Sequence, residues 1–144
     1  MAATFSYPKT HMSEDTIKQW LNEVSRTVAA KDLNAHLDLI SRNVKLTGMP
    51  GFDLIDYASW ANQCQHEFTK NLIRRVACNG SQVRATTVNR IMFKTLETVT
   101  AADGSRNAQG IEVLLEKEAD GKWRGIQERI LPEGETRHHG FVPN

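Results

Sequence analysis

Residues 82–100 read QVRATTVNRIMFKTLETVT, and their alternation decides what kind of fold the chain makes. Successive side chains of a strand point to opposite faces of a sheet, so the stretch sorts into two rows. The odd row carries Val83, Ile91, Phe93 and Val99, interrupted by Asn89 and Glu97; this is the expected inner face. The even row sets Val88, Met92 and Leu96 between Arg90 and Lys94, too charged for a core and too apolar for a fully wetted face. A strand of this length must bend or carry a bulge. Before it stands Asn79-Gly80, after it Asp103-Gly104, and further on Asp120-Gly121. Such pairs are strong hairpin signals, because their central residues accept positive φ. They divide the C-terminal half into strands over 72–78, 82–100, around Ile111, Val113 and Leu115, and over 122–131. The expectation is an antiparallel meander.

Outward from the meander, the N-terminal half changes period. Ser13-Glu14-Asp15 reads as a helix start, a hydroxyl cap followed by acids that suit the helix dipole. Ile17, Trp20, Leu21, Val24 and Val28 then form one apolar stripe. Asp32 can cap a shorter helix carrying Leu33, His36, Leu37 and Ile40, and a brief apolar stretch runs from Val44 to Leu46. Gly48, Pro50 and Gly51 mark a loop. Asp56 caps a third helix, whose Tyr57, Trp60, Ala61, Cys64 and Phe68 recur at helical spacing. The order is therefore α-α-β-α-β-β-β-β, an α+β domain with helices packed on a curved, mainly antiparallel sheet. Residues 1–12 and 133–144 read as loosely held tails around one domain over 13–132.

The chain has 144 residues, 40% hydrophobic and 24% charged, with a net charge of +1. That composition suits one globular domain and gives no electrostatic case for binding nucleic acid or an acidic membrane. Apolar runs are too short to span a bilayer. MAATFSYPKTHM lacks the pattern of a secretory leader, so a cytoplasmic location with reduced Cys64 and Cys78 is expected. No His/Cys/Asp/Glu group has metal-ligand spacing, and neither a metal nor a cofactor is expected.

The element order and three phrases carry a resemblance: TIKQWLNEVSRTVAAKDLNAHLDLIS, the helix after GMPGFDLIDY, and the hairpin EKEADGKWRGIQERI. Together they resemble the nuclear transport factor 2-like superfamily, which includes the SnoaL-like polyketide cyclases, ketosteroid isomerases and scytalone dehydratase. The resemblance covers about residues 13–131. It implies a cone-shaped domain with a pocket between helices and concave sheet, and commonly a homodimer through the sheet's other face. Val88, Arg90, Met92, Leu96 and Leu114 are the expected interface, whose mixed character suits one. The ketosteroid isomerase pattern places an aspartate base just after the first short strand, and its oxyanion tyrosine on the first helix. This chain has VKLTGMPG and Trp20 with Val24 there, which argues against that chemistry.

An acid or base in such a pocket needs a perturbed pKa. The candidates are Asp53, in the loop that the resemblance places near the pocket mouth, Glu97 on the inner face, and Glu128. Asp56 has the simpler role of a cap. On the last strand Glu128 falls between Ile126 and Ile130, while Gln127 and Arg129 share the face of Trp123 and Leu131. A bulge at Gly125 exchanges these faces, so either can look inward; turned inward, Glu128 is the best candidate acid. Tyr57, Trp60, Trp20, Phe93 and Asn89 are the expected ligand-binding residues. His36 reads as a satisfied boundary residue, and His66 as solvent-facing.

Two small-molecule functions follow, with a third of another kind. One is a dimeric protein holding an apolar or amphipathic molecule. Another is a cofactor-independent lyase, isomerase or hydrolase of SnoaL-like type using a pocket carboxylate. The third is a protein-interaction module. A buried carboxylate facing an open cavity marks the enzyme, a cavity without ionisable groups the binding protein, and a filled cavity the module.

Overall fold

Helical and strand periods separate in the computed structural model where they separate in the sequence; the structure describes residues 9–138. The elements are α1 (Lys9–Ala30), α2 (Leu33–Leu37), β1 (Ile40–Thr47), α3 (Tyr57–Thr69), β2 (Ile73–Thr86), β3 (Arg90–Ala101), β4 (Arg106–Lys117), β5 (Trp123–Ile130) and α4 (Glu133–His138). The strands form one sheet in the order β1-β5-β4-β3-β2. β1 lies parallel to β5 and every other pair is antiparallel. Helices followed by a curved mixed sheet make the expected α+β architecture. The core forms where the α1 stripe, through Ile17 and Trp20, meets Ile40 and Val44 of β1, Phe93 of β3 and Val113 of β4.

Three boundaries differ from expectation. α1 begins at Lys9, so Ser13 is a buried residue within the helix and not its cap. Glu133–His138 form α4 where a loose tail was expected. Residues 1–8 and 139–144, the rest of the expected tails, lie outside the described residues.

The third difference moves a turn. Asn79-Gly80 does not end a strand: β2 runs through it, with an irregularity between Asn79 and Ser81 and Gly80 at φ 71°. The positive φ that glycine accepts freely serves a bulge here. Buried Thr95 donates its hydroxyl to the Gly80 carbonyl and so satisfies the distorted backbone. The hairpin turns instead at residues 87–89, where the Thr87 amide donates to the Arg90 carbonyl at 2.8 Å. The expected strand over 82–100 is thus the end of β2, a turn, and β3.

This shift overturns two assignments. Asn89 is an exposed turn residue whose side chain accepts from Thr87 Oγ1 at 3.2 Å, so it does not line a pocket. Val88 is 91% exposed at the tip and lies outside the strand face assigned to the interface. Arg90, at the start of β3, pairs with Glu116 at 2.8 Å. On the outer face Lys94 and Leu96 are already buried within the single chain, while Met92 and Leu114 stay half-buried. Glu135 of α4 reaches Lys94 and Arg129, each at 3.0 Å, and Glu112 completes the cluster. No helix among the described residues is long and apolar enough to cross a membrane.

Candidate functional site

Between α1, α2, α3 and the inner sheet face lies a cavity of about 270 Å³. Most of its wall is apolar, including Leu21 and Val24 of α1, Trp60, Cys64 and Phe68 of α3, and Val99, Ile111 and Ile130 of the sheet. α3 presents that face because Asp56 starts it: its Oδ1 accepts from the Ser59 amide at 2.9 Å. That bond holds the Asp56 carboxyl below the usual range, as expected of a cap rather than a base.

One wall is acidic. Glu97 of β3, Glu128 of β5 and Glu67 of α3 all face the cavity, joined by the amide of Gln109. Glu128 points inward because β5 carries an irregularity between its Gly125 and Gln127 pairings. Gly125 pairs with inward Leu115, whereas Glu128 pairs with inward Val113, so Ile126 is the extra residue that reverses the face. Gly125 is small where it must be: a Cβ there would stand 3.0 Å from Ile40 Cδ1 and 3.4 Å from Trp20 Cζ2. Glu97 sits opposite Gln109 across β3 and β4, and Gln109 Nε2 donates to its Oε1 at 3.4 Å.

Burial disfavours the charged form of each carboxyl, and like charges add to it. Glu128 is pushed up to about 8, by burial first and then by Glu97. Glu97 is raised by burial, opposed by the Gln109 hydrogen bond and reinforced by Glu67. Glu67 is raised mainly by burial. Glu97 and Glu128 are half-buried and line the cavity. The Glu128 carboxyl has no hydrogen-bond or ion-pair partner among the described residues.

His36 closes the helical side. It stacks on Trp60 with ring centroids 5.8 Å apart and lies 5.2 Å from the Phe68 ring. Its Nδ1 is 2.8 Å from Thr27 Oγ1, which also lies 2.8 Å from the Glu23 carbonyl. Burial lowers its pKa to about 4, so it is neutral. Cys64 and Cys78 are free and pushed up to about 12 by burial. His66 is exposed.

Of the expected site residues, Glu97, Glu128, Trp20 and Trp60 come together at the cavity. Asp53 does not; it is exposed in the loop before α3. Tyr57 is half-buried beside Trp60 but turns under Arg42, whose guanidinium carbon lies 5.5 Å from its ring, and misses the cavity. Phe93 is wholly buried in the core against Trp20, behind the cavity wall. Glu67 and Gln109 are additions. Glu67 falls seven residues after Trp60 and three after Cys64, the same helical face. Gln109 follows from counting back across the Asp103-Gly104 turn from Glu97.

No family model matches the chain, and no curated protein matches it. Solved structures do. A protein of unknown function from Mycobacterium tuberculosis matches at 14% identity with a TM-score of 0.71, covering 90% of this chain and 77% of that one. An NTF2-like protein of unknown function from Pseudomonas putida matches at 11% identity and a TM-score of 0.66, covering 85% and 87%. A protein of unknown function with a cystatin-like fold from Nostoc punctiforme matches at 12% identity and a TM-score of 0.63, covering 81% and 88%. Likeness at this level is a likeness of fold: the chain has the cystatin-like α+β fold found in NTF2-like proteins.

Proposed function

We propose that the cavity is an active site for acid–base chemistry on a small, largely apolar molecule, with Glu128 as the proton-handling group. One observation carries the reading: Glu128 faces an open, mostly apolar cavity with no hydrogen-bond or ion-pair partner among the described residues. An ionisable side chain is costly in such a place unless it is neutralised or used. A pKa of about 8 keeps it mostly protonated at neutral pH yet able to give the proton up, as acid–base catalysis requires. Glu97, held by Gln109, is the neighbour whose charge helps to raise the Glu128 carboxyl. Size supports the same reading: a dry cavity of about 150 Å³ holds benzene, so about 270 Å³ suits a molecule of one or two rings.

The test is proton exchange in D₂O with a panel of one- and two-ring carbon acids, followed by NMR. Wild type should accelerate deuterium incorporation into at least one compound, and Glu128→Gln should slow it by about 100-fold or more. Equal exchange by wild type and variant across the panel would sink the catalytic reading. The apolar majority of the wall favours a second reading, a carrier for a small amphipathic molecule. Saturable binding without exchange is its signature.

A further inference from the structure

The cavity has an unbalanced charge inventory. Glu67, Glu97 and Glu128 face it from α3, β3 and β5, yet no lysine or arginine is in its lining. Its other titratable groups supply no positive charge: His36 is held neutral by burial, and the thiols of Cys64 and Cys78 stay protonated. Lys31, which touches the Phe68 ring, is tied to the Ile73 carbonyl and is not in the lining. His66 lies next to Glu67 in sequence and favours its charged form, but it is exposed and not in the lining. Buried carboxylates elsewhere find a cation or a set of donors; here Glu97 has one amide and Glu128 has none. The same lining holds three aromatic rings, Trp20, Trp60 and Phe68, whose faces attract cations.

We infer that the occupant of the cavity is a cation, a small amine whose ammonium sits among Glu67, Glu97 and Glu128 while its apolar part lies against Trp20, Trp60 and Phe68. The inference rests on reading the cavity as a ligand site, and not on the catalytic step. A bound ammonium replaces the protons that otherwise neutralise the carboxyls, so binding expels protons into solvent. Affinity for the amine therefore rises as pH rises toward about 8, by up to about tenfold per pH unit for each proton expelled. Affinity for a neutral analogue stays flat.

Three matched probes test this with the full-length chain: 2-phenylethylamine, 2-phenylethanol and phenylacetate, titrated calorimetrically at pH 6, 7 and 8 in buffers of different ionisation heat. The amine should bind at least about tenfold tighter than the alcohol, with proton release, and phenylacetate should not bind. Glu97→Gln with Glu128→Gln keeps side-chain size and should bring the amine's affinity down to that of the alcohol, with no proton release. Alcohol or phenylacetate binding as tightly as the amine overturns the cationic occupant but keeps the cavity as a ligand site. If none of the three binds, the inference falls; if exchange activity is also absent, so does the functional reading.

Discussion

Glu128 concentrates the chemistry at the scale of single residues, and its cost should be visible in stability. Its pKa is about 8 in the folded protein and near the ordinary carboxyl value when unfolded. Between those values the folded state holds more protons than the unfolded, so stability falls as pH rises through that window. His36 acts oppositely: folded near 4 and unfolded near 6.5, it makes stability rise with pH across that interval. The two slopes compete below about 6.5, and above it only the carboxyl slope remains. Urea melts should therefore show stability declining from pH 6.5 to 9. Glu128→Gln should flatten the decline and leave the variant more stable than wild type at pH 9 by something on the order of 2 kcal/mol. An unchanged slope in the variant would mean that Glu128 is not buried as described.

At the scale of elements, the placement of bulges decided the site, and that was the least legible part of the sequence. Asp103-Gly104 and Asp120-Gly121 turn the chain where their dipeptides say they should. Asn79-Gly80 carries the same local preference, but the ladder of β2 with β3 continues past it and turns it into a bulge. A dipeptide specifies backbone angles, not whether the partner strand lies ahead or behind. The inner row of β3 survived the error because Ile91, Phe93, Thr95 and Glu97 alternate whatever the turn does. β5 was ambiguous for a better reason: one extra residue at Ile126 exchanges Arg129 for Glu128 on the inner face, and periodicity cannot count it. Tyr57 misled because helical spacing gives a face but not its neighbour, and Arg42 claimed the ring. Another close approach near β5 gives a clean test. A Cβ on Gly48, at φ +85°, would strike the Ile130 backbone carbonyl, whereas Gly51, at φ +87°, has open space. Gly51→Ala should cost about 1 kcal/mol in chemical denaturation, and Gly48→Ala about 3 kcal/mol or more. Equal costs would contradict the tight β1–β5 junction.

For the molecule as a whole, the helices supply most of the apolar lining and the sheet two of the three cavity carboxyls, and the fold's use depends on the space between them. The outer sheet face stands apart, partly covered by α4 through Glu135, Lys94 and Arg129. The homodimer proposed across that face must use what the single chain leaves half-buried, chiefly Met92 and Leu114. Sedimentation at micromolar concentration should show twice the chain's 16.2 kDa, and a 16.2 kDa species alone would remove that proposal. The central claim concerns the cavity, and NMR titration of the glutamate carboxyl carbons in the labelled protein tests it most directly. One carboxyl, assigned to Glu128 by its loss in Glu128→Gln, should titrate at about 8 and shift downward in Glu97→Gln, while staying raised by burial. Every glutamate titrating within the ordinary carboxyl range of about 4 to 5 would contradict the account.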